Sequence, residues 1–341
     1  MVAISVIIEM FHADVESDVT VEEALGSLEE QDYPPEQVEF LIVTAEDTPA
    51  MRELVAKSFG RFASRVRVIA TGARGYHQAK LRGIEQAVGQ AIAFSDSDNI
   101  QPVCWLRCLH EQLLAAGHAA VTGPTSFKPG TFLRLAVFLA DFGILREDGL
   151  EWTPYFWANN VGFRREVLLS FQLNDHGKFN RFGGSRFLAR QMHDRGLRVR
   201  VDPRMKSVHG YSWRVFMYEK RLRRFVHLAY VRRHDPNSGL SALVGVPDRP
   251  LSWLWTWLAA AYRYQKQPSL CRKTLKLGPA RRLLMRVLLA GLSVYELGLI
   301  LYFAAAPGAL RSIARKYAWW KDPAEEARPA AGPETKLTPE G

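Results

Sequence analysis

Two aspartates spaced one residue apart, Asp96 and Asp98, close the apolar run Ala91-Ile92-Ala93-Phe94. A short apolar run bounded by polar residues reads as a buried strand. The acids then stand at its carboxyl end, where open α/β sheets take ligands. Residues i and i+2 of a strand point to one side. Two carboxylates on one side make a hard-oxygen site suited to Mg²⁺ or Mn²⁺, and such a cation neutralises a diphosphate. The bland alternative is an acidic turn that ends a strand. Lys80 and Arg82, just upstream, are either cations for phosphate or a solvated helix face.

The elements that position these groups alternate. Strand-like Ile4–Glu9, Val38–Thr44 and Val66–Ala70 are separated by helix-like Val21–Gln31 and Ala50–Ser58. Tyr76–Val88 is a further helix leading into the strand with the two acids. A β-α-β-α-β-α-β order predicts a mostly parallel sheet with right-handed crossovers. Helices are expected over 102–114, 132–142 and 183–195, and short strands over 119–123, 197–201 and 205–208. The run Glu151–Trp157 is unusually aromatic, and rings pack on sugars and isoprenoid chains. Trp152 and Trp157 are therefore candidates for a platform that such groups pack on, or plain core.

The formal net charge of +10 fits anionic lipid or phosphorylated substrates as well as nucleic acid. No zinc-finger spacing accompanies the basic clusters, so nucleic acid is not expected. Three cysteines, Cys104, Cys108 and Cys271, are too few for a zinc site and read as reduced packing residues of a cytoplasmic protein. The chain enters a strand at once, without the basic and apolar regions of a secretory signal.

Five stretches, in order, resemble family 2 glycosyltransferases of the GT-A fold. They are Ile4–Ile8; Leu25 to Pro34, with Ser27-Leu28 and Gln31-Asp32-Tyr33-Pro34; Gly83-Ile84 through Asp96-Ser97-Asp98; Asn160-Val161-Gly162-Phe163-Arg164-Arg165-Glu166-Val167-Leu168; and Gly196-Leu197-Arg198 with the segment ending at His209. The resemblance implies a GT-A domain over 1–235, while composition predicts a C-terminal helical, membrane-associated region over 236–320 and a disordered tail over 321–341. It implies an inverting, hexosyltransferase-like enzyme. Asp96 and Asp98 would hold the metal and the donor diphosphate, with His209 as a third metal ligand. Asn160 belongs to the acceptor-side phrase. Lys220–Phe225 resembles the Gln/Arg-x-x-Arg-Trp motif, placing Arg221 and Arg224 toward the acceptor, or on a basic amphipathic helix at anionic lipid.

Three places depart from the pattern. Strand one ends in Glu9-Met10 where the family has Pro-x-Tyr-Asn, leaving Glu9 as a donor contact or a carboxylate facing water. Strand two is followed by Ala45-Glu46-Asp47 where the family has Asp-Asp-Gly-Ser, so Glu46, or its neighbour Asp47, is the candidate donor contact there. The acidic pair that supplies the catalytic base is replaced by Phe182-Gly183-Gly184-Ser185-Arg186, which makes Asp175 and His176 the nearest candidates to take a proton, with Asp175 as the candidate base. That loss motivates a second reading, a non-catalytic GT-A-like binding or scaffold subunit.

Val287–Ala306 is long enough to span a bilayer but carries Glu296 in its middle. Arg281, Arg282 and Arg286 precede it, and Arg311, Arg315 and Lys316 follow. Basic flanks on both sides suit a re-entrant or interfacial hairpin on the cytoplasmic face better than a single span. The alternative is a helix pair packed on the catalytic domain. The expected partners are thus a nucleotide-diphosphate sugar, a lipid or glycan acceptor and the membrane surface.

Overall fold

The computed structural model describes residues 2–10, 17–72, 76–128, 130–146, 148–171, 184–210, 252–306 and 309. Strands β1 (Ile4–Glu9), β2 (Val38–Thr44), β3 (Val66–Ala70) and β4 (Ala91–Asp96) run parallel. Helices α1 (Val21–Glu29), α2 (Pro49–Ser58) and α3 (Tyr76–Gln86) connect them. Apolar side chains alternate between two cores, one on each face of the sheet. Ile4, Val6, Ile8, Phe40, Ile42 and Ala93 enter one, and Ile7, Leu41, Val43, Ile92 and Phe94 the other. That is the period of two that a doubly covered strand requires. Thr20 caps α1 reciprocally with Glu23, and Thr48 caps α2 with Pro49 in its first turn.

Beyond β4 the sheet adds β9 (Asn160–Arg164), β6 (Ala120–Thr122), β10 (Val199–Val201) and β8 (Trp152–Thr153). The full order is β3-β2-β1-β4-β9-β6-β10-β8. β9 is antiparallel to both β4 and β6, so the sheet is mixed on this side. A second sheet orders β5 (Asn99–Ile100), β11 (Ser207–His209) and β7 (Thr125–Ser126), with β11 in the middle. The helix expected over 102–114 is α4 (Trp105–Leu109), followed by a π turn over His110–Ala115. α6 (Arg165–Leu169) and α7 (Gly184–Asp194) cover the face that carries Ile7.

α5 (Phe132–Phe142) leads away from the sheet and packs on two C-terminal helices, α8 (Ser252–Leu270) and α10 (Pro279–Ala305). A short α9 (Arg272–Leu275) and Lys276, in the left-handed region at φ 49°, turn the chain between them. Ala136, Leu139, Tyr264, Met285, Leu289 and Leu292 form the common core. The pair therefore lies against the sheet domain on one side.

Candidate active site

The carboxyl ends of β1 and β4 meet at one point. Glu9 stands opposite Asp96 in the strand register, and Ser97 N donates to Glu9 O at 3.2 Å. Asp98 sits in the turn into β5, and pairing of β5 with β11 sets His209 opposite Asn99. Gly210 N donates to Asp98 O at 2.6 Å. A Cβ at Gly210 would fall 2.0 Å from Ser17 Oγ and 3.0 Å from Asp98 O, so only glycine closes this contact. His209 Nε2 lies 3.7 Å from Asp98 Oδ1. One ligand atom from each of Asp96, Asp98 and His209 falls within 4.8 Å of the others.

Lys80 completes the cluster from α3. Its Nζ donates to Asp96 Oδ1 at 2.7 Å and to Ala158 O at 3.1 Å, and lies over the Phe94 ring. Both side chains of this ion pair are about 5–6% exposed. A Cβ at Gly83 would meet Ile7 Cγ2 at 2.4 Å, so glycine lets α3 settle on β1 and carries Lys80 down to the acids. The solvated-face alternative for Lys80 is thereby excluded. Arg82 follows that alternative: it is exposed and pairs with Glu85.

Several buried polar atoms here have no hydrogen-bond partner among the described residues. They are Ser97 Oγ, Asp98 Oδ1, Asn99 Oδ1 and Gln101 Oε1, with both side-chain amide atoms of Asn159. Folded proteins leave few such atoms unsatisfied, and a group of them marks a place for ion, water or ligand. The donor set of two carboxylates and one imidazole fits Mn²⁺ or Mg²⁺ chemically.

The sequence-based candidates separate in space. Glu9 is fully buried, which excludes a carboxylate facing water. Glu46 is exposed, just past the carboxyl end of β2, on the edge that carries the acids. Asn160 is buried and held by the framework. Its Nδ2 donates to Met205 O at 2.7 Å and Ser207 Oγ at 3.1 Å, and its Oδ1 accepts from Trp105 Nε1 at 2.8 Å. Asn160 thus ties β9 to the turn before β11.

The aromatic run does not form one platform. Trp152 stands four strands from β4, roughly 19 Å at ordinary strand spacing, against His118 and Arg200. Phe156 is core, edge-on to Phe163. Trp157 packs against the α5 residues Val137 and Phe138 and precedes Ala158, whose carbonyl accepts from Lys80. Asp175, Arg221 and Arg224 lie outside the described residues, as do both expected domain boundaries.

Sequence reasoning missed Asn99, Gln101 and Asn159. Gln101 Nε2 donates to Ser95 Oγ and Asn159 O, each at 3.0 Å, and Asn99 Nδ2 donates to Asn159 O at 2.7 Å. The run of polar residues continuing past Asp98 was their signal. Behind the site, Asp202 holds the turn that leads to β11. Burial would raise its carboxyl group's pKa, but hydrogen bonds from Arg204 and Gln112 outweigh that and hold it below the usual range.

The family model described as glycosyl transferase family 2 matches residues 5–170, which include β1, the two acids and β9. The chain carries a family 2 glycosyltransferase domain. Among solved structures, the glycosyltransferase fold seen here is similar to the mannosyltransferase PcManGT from Pyrobaculum calidifontis, solved with GDP-Man and Mn²⁺. That likeness has 20% identity and a TM-score of 0.51, and spans 86% of this chain and 84% of the other. S. aureus TarS residues 1–349, solved with UDP, is similar at 13% identity and a TM-score of 0.45, over 85% and 90% of the two chains. No curated protein matches the sequence. The glycosyltransferase domain thus has the GT-A architecture, with an apolar C-terminal helix beside it.

Proposed function

We propose that this glycosyltransferase is metal-dependent and moves a hexose from a nucleotide-diphosphate donor to a hydroxyl of a lipid or polysaccharide precursor. Asp96, Asp98 and His209 would hold Mn²⁺ or Mg²⁺. When bound, such an ion supplies Lewis-acid stabilisation of the departing nucleotide diphosphate. The observation carrying this reading is the joint presence of the three ligand atoms and the unsatisfied polar atoms at one sheet edge. Lys80 brings a buried positive charge to that edge and orients Asp96. Glu9 and Glu46 border the donor, and Trp157 with Arg221 and Arg224 the acceptor. Asp175 would be the base that takes the hydroxyl proton; that oxygen bonds to the sugar's anomeric carbon as the bond to the nucleotide diphosphate breaks on the opposite face, which inverts the centre. The chain works at the cytoplasmic face of a membrane.

Thermal-shift screening of nucleotide sugars with and without Mn²⁺ tests the proposal. A donor that stabilises the protein only with the ion, and whose nucleotide is released on incubation with acceptor, supports it. Binding with no nucleotide release under any donor favours the scaffold reading, which the carboxylate-free stretch 182–189 motivates. Unchanged turnover in Asp175→Asn rules that residue out as base.

A further inference from the structure

We infer that the α8–α10 hairpin lies in the plane of a bilayer rich in anionic phospholipid, with its outer face among the headgroups, and does not cross it. This deepens the membrane association proposed above and is independent of the sugar chemistry.

α10 is long and apolar enough to cross a membrane over Pro279–Tyr302. Its inner face is already occupied. Met285, Leu289 and Leu292 pack on Tyr264 of α8 and on Ala136 and Leu139 of α5. α5 belongs to the sheet domain: the ring of its Phe138 packs at a tilt against that of Phe127, which follows β7 directly. A span would draw this helix of the sheet domain into the hydrocarbon as well. Glu296, which looked costly at the centre of a span, is turned inward and accepts from Tyr264 Oη at 3.1 Å. The outer face is consequently free of charge from Val287 onward. Leu283, Leu284, Val287, Val294 and Leu301 are 50–66% exposed at helical spacing. On α8, Tyr262 is 63% exposed.

Charge identifies the occupant. Residues 252–306 contain Arg263, Lys266, Arg272, Lys273, Lys276, Arg281, Arg282 and Arg286 but a single acid, the buried Glu296. The exposed cations gather at the bend of the hairpin, around the start of the apolar stripe. An apolar face collared by Lys and Arg is the pattern of a helix lying in the interface of an anionic leaflet. Arg286 is exposed between Leu284 and Val287. In a span it would enter the hydrocarbon, whereas in the plane it reaches headgroups.

The test uses the full chain and extruded vesicles of phosphatidylcholine, with or without an equal part of phosphatidylglycerol, at about 0.1 M salt. Co-sedimentation should be at least about tenfold stronger with phosphatidylglycerol. Lys273→Gln with Arg281→Gln should remove that preference, and Val287→Asp with Val294→Asp should remove binding, each melting as the parent does. Bimane labels at Val287→Cys, Val294→Cys and Leu301→Cys, in a Cys104→Ser background, then report depth by lipid spin-label quenching. Equal, shallow depths support the in-plane placement. A depth that changes by about 10 Å at each seven-residue step shows a span and overturns it. Absence of vesicle binding, or a dimer in solution that Val287→Asp dissociates, also overturns it, the latter in favour of a second copy of the chain. Nucleotide-sugar binding measured without vesicles separates failure here from failure of the transferase reading.

Discussion

With Asp96 held by Lys80 at 2.7 Å and Asp98 Oδ1 lacking a hydrogen bond among the described residues, the two acids are not equivalent. Asp96 has a built-in cation, whereas under the proposed function Asp98 would take one from outside. Asp98→Asn should therefore leave the fold intact and abolish Mn²⁺-dependent stabilisation by donor. Turnover should fall by about 100-fold or more, since even residues that only orient ligands are worth 10–100-fold. Steady-state kinetics beside a melting curve checks this. Lys80→Met acts differently. Removing one partner of a buried ion pair destabilises by about 3–5 kcal/mol, because the remaining charge is left desolvated. Urea unfolding without donor should show that loss. Stability equal to the parent's would mean that Asp96 is satisfied by other groups.

The helices and strands carry these residues to one place through close contacts. In Gly83→Ala, better helix propensity contributes about 1 kcal/mol, while forcing a methyl to 2.4 Å from Ile7 costs about 1–3 kcal/mol. Ile7 is fully buried on the central strand and cannot give, so the net effect should be destabilising. A calorimetric melting temperature at or above the parent's would contradict this. The turn before β11 responds to pH. The folded pKa of Asp202 is depressed, so its contribution is fully present above the unfolded value near ~3.9 and is lost as pH falls through the folded value. Asp202→Asn should flatten the acid limb of stability and cost about 1.5–3 kcal/mol near pH 7. Denaturant titrations at several pH values read both effects. Nearby on α4, burial first, then the Asp202 charge, pushes the Cys108 thiol up to about 12. Iodoacetamide at neutral pH should therefore modify Cys104 in the native protein and spare Cys108.

For the whole molecule, the proposed function predicts that donor, ion and fold are linked thermodynamically. A ligand at about 100 times its dissociation constant adds about 2.7 kcal/mol, some 5–10 °C in Tm for a domain of this size. Chelation with EDTA should remove that increment and Mn²⁺ restore it, as differential scanning fluorimetry would show. Donor stabilisation that persists in EDTA would count against the ion. The amino-acid order alone determined the parallel half of the sheet and the acids at its edge. Apolar runs of strand length, helices of matching period and the turn residues between them are local signals, and β1 through β4 follow one another in sequence. It also indicated the apolar C-terminal helix from composition. Only the tertiary structure decided the rest. β9 inserts antiparallel between β4 and β6, and β11 brings His209 to Asn99 across 110 positions of sequence. Two-residue strands such as β5 and β7 carry no period to read. Lys80 and Arg82 look alike in sequence, yet one is buried on an acid and the other exposed, because the face that α3 presents is set by Gly83 against Ile7. Trp152 and Trp157, five residues apart, are parted by the sheet because β8 pairs at its far edge. Pairings between distant segments depend on packing and loop closure, which no local stretch encodes.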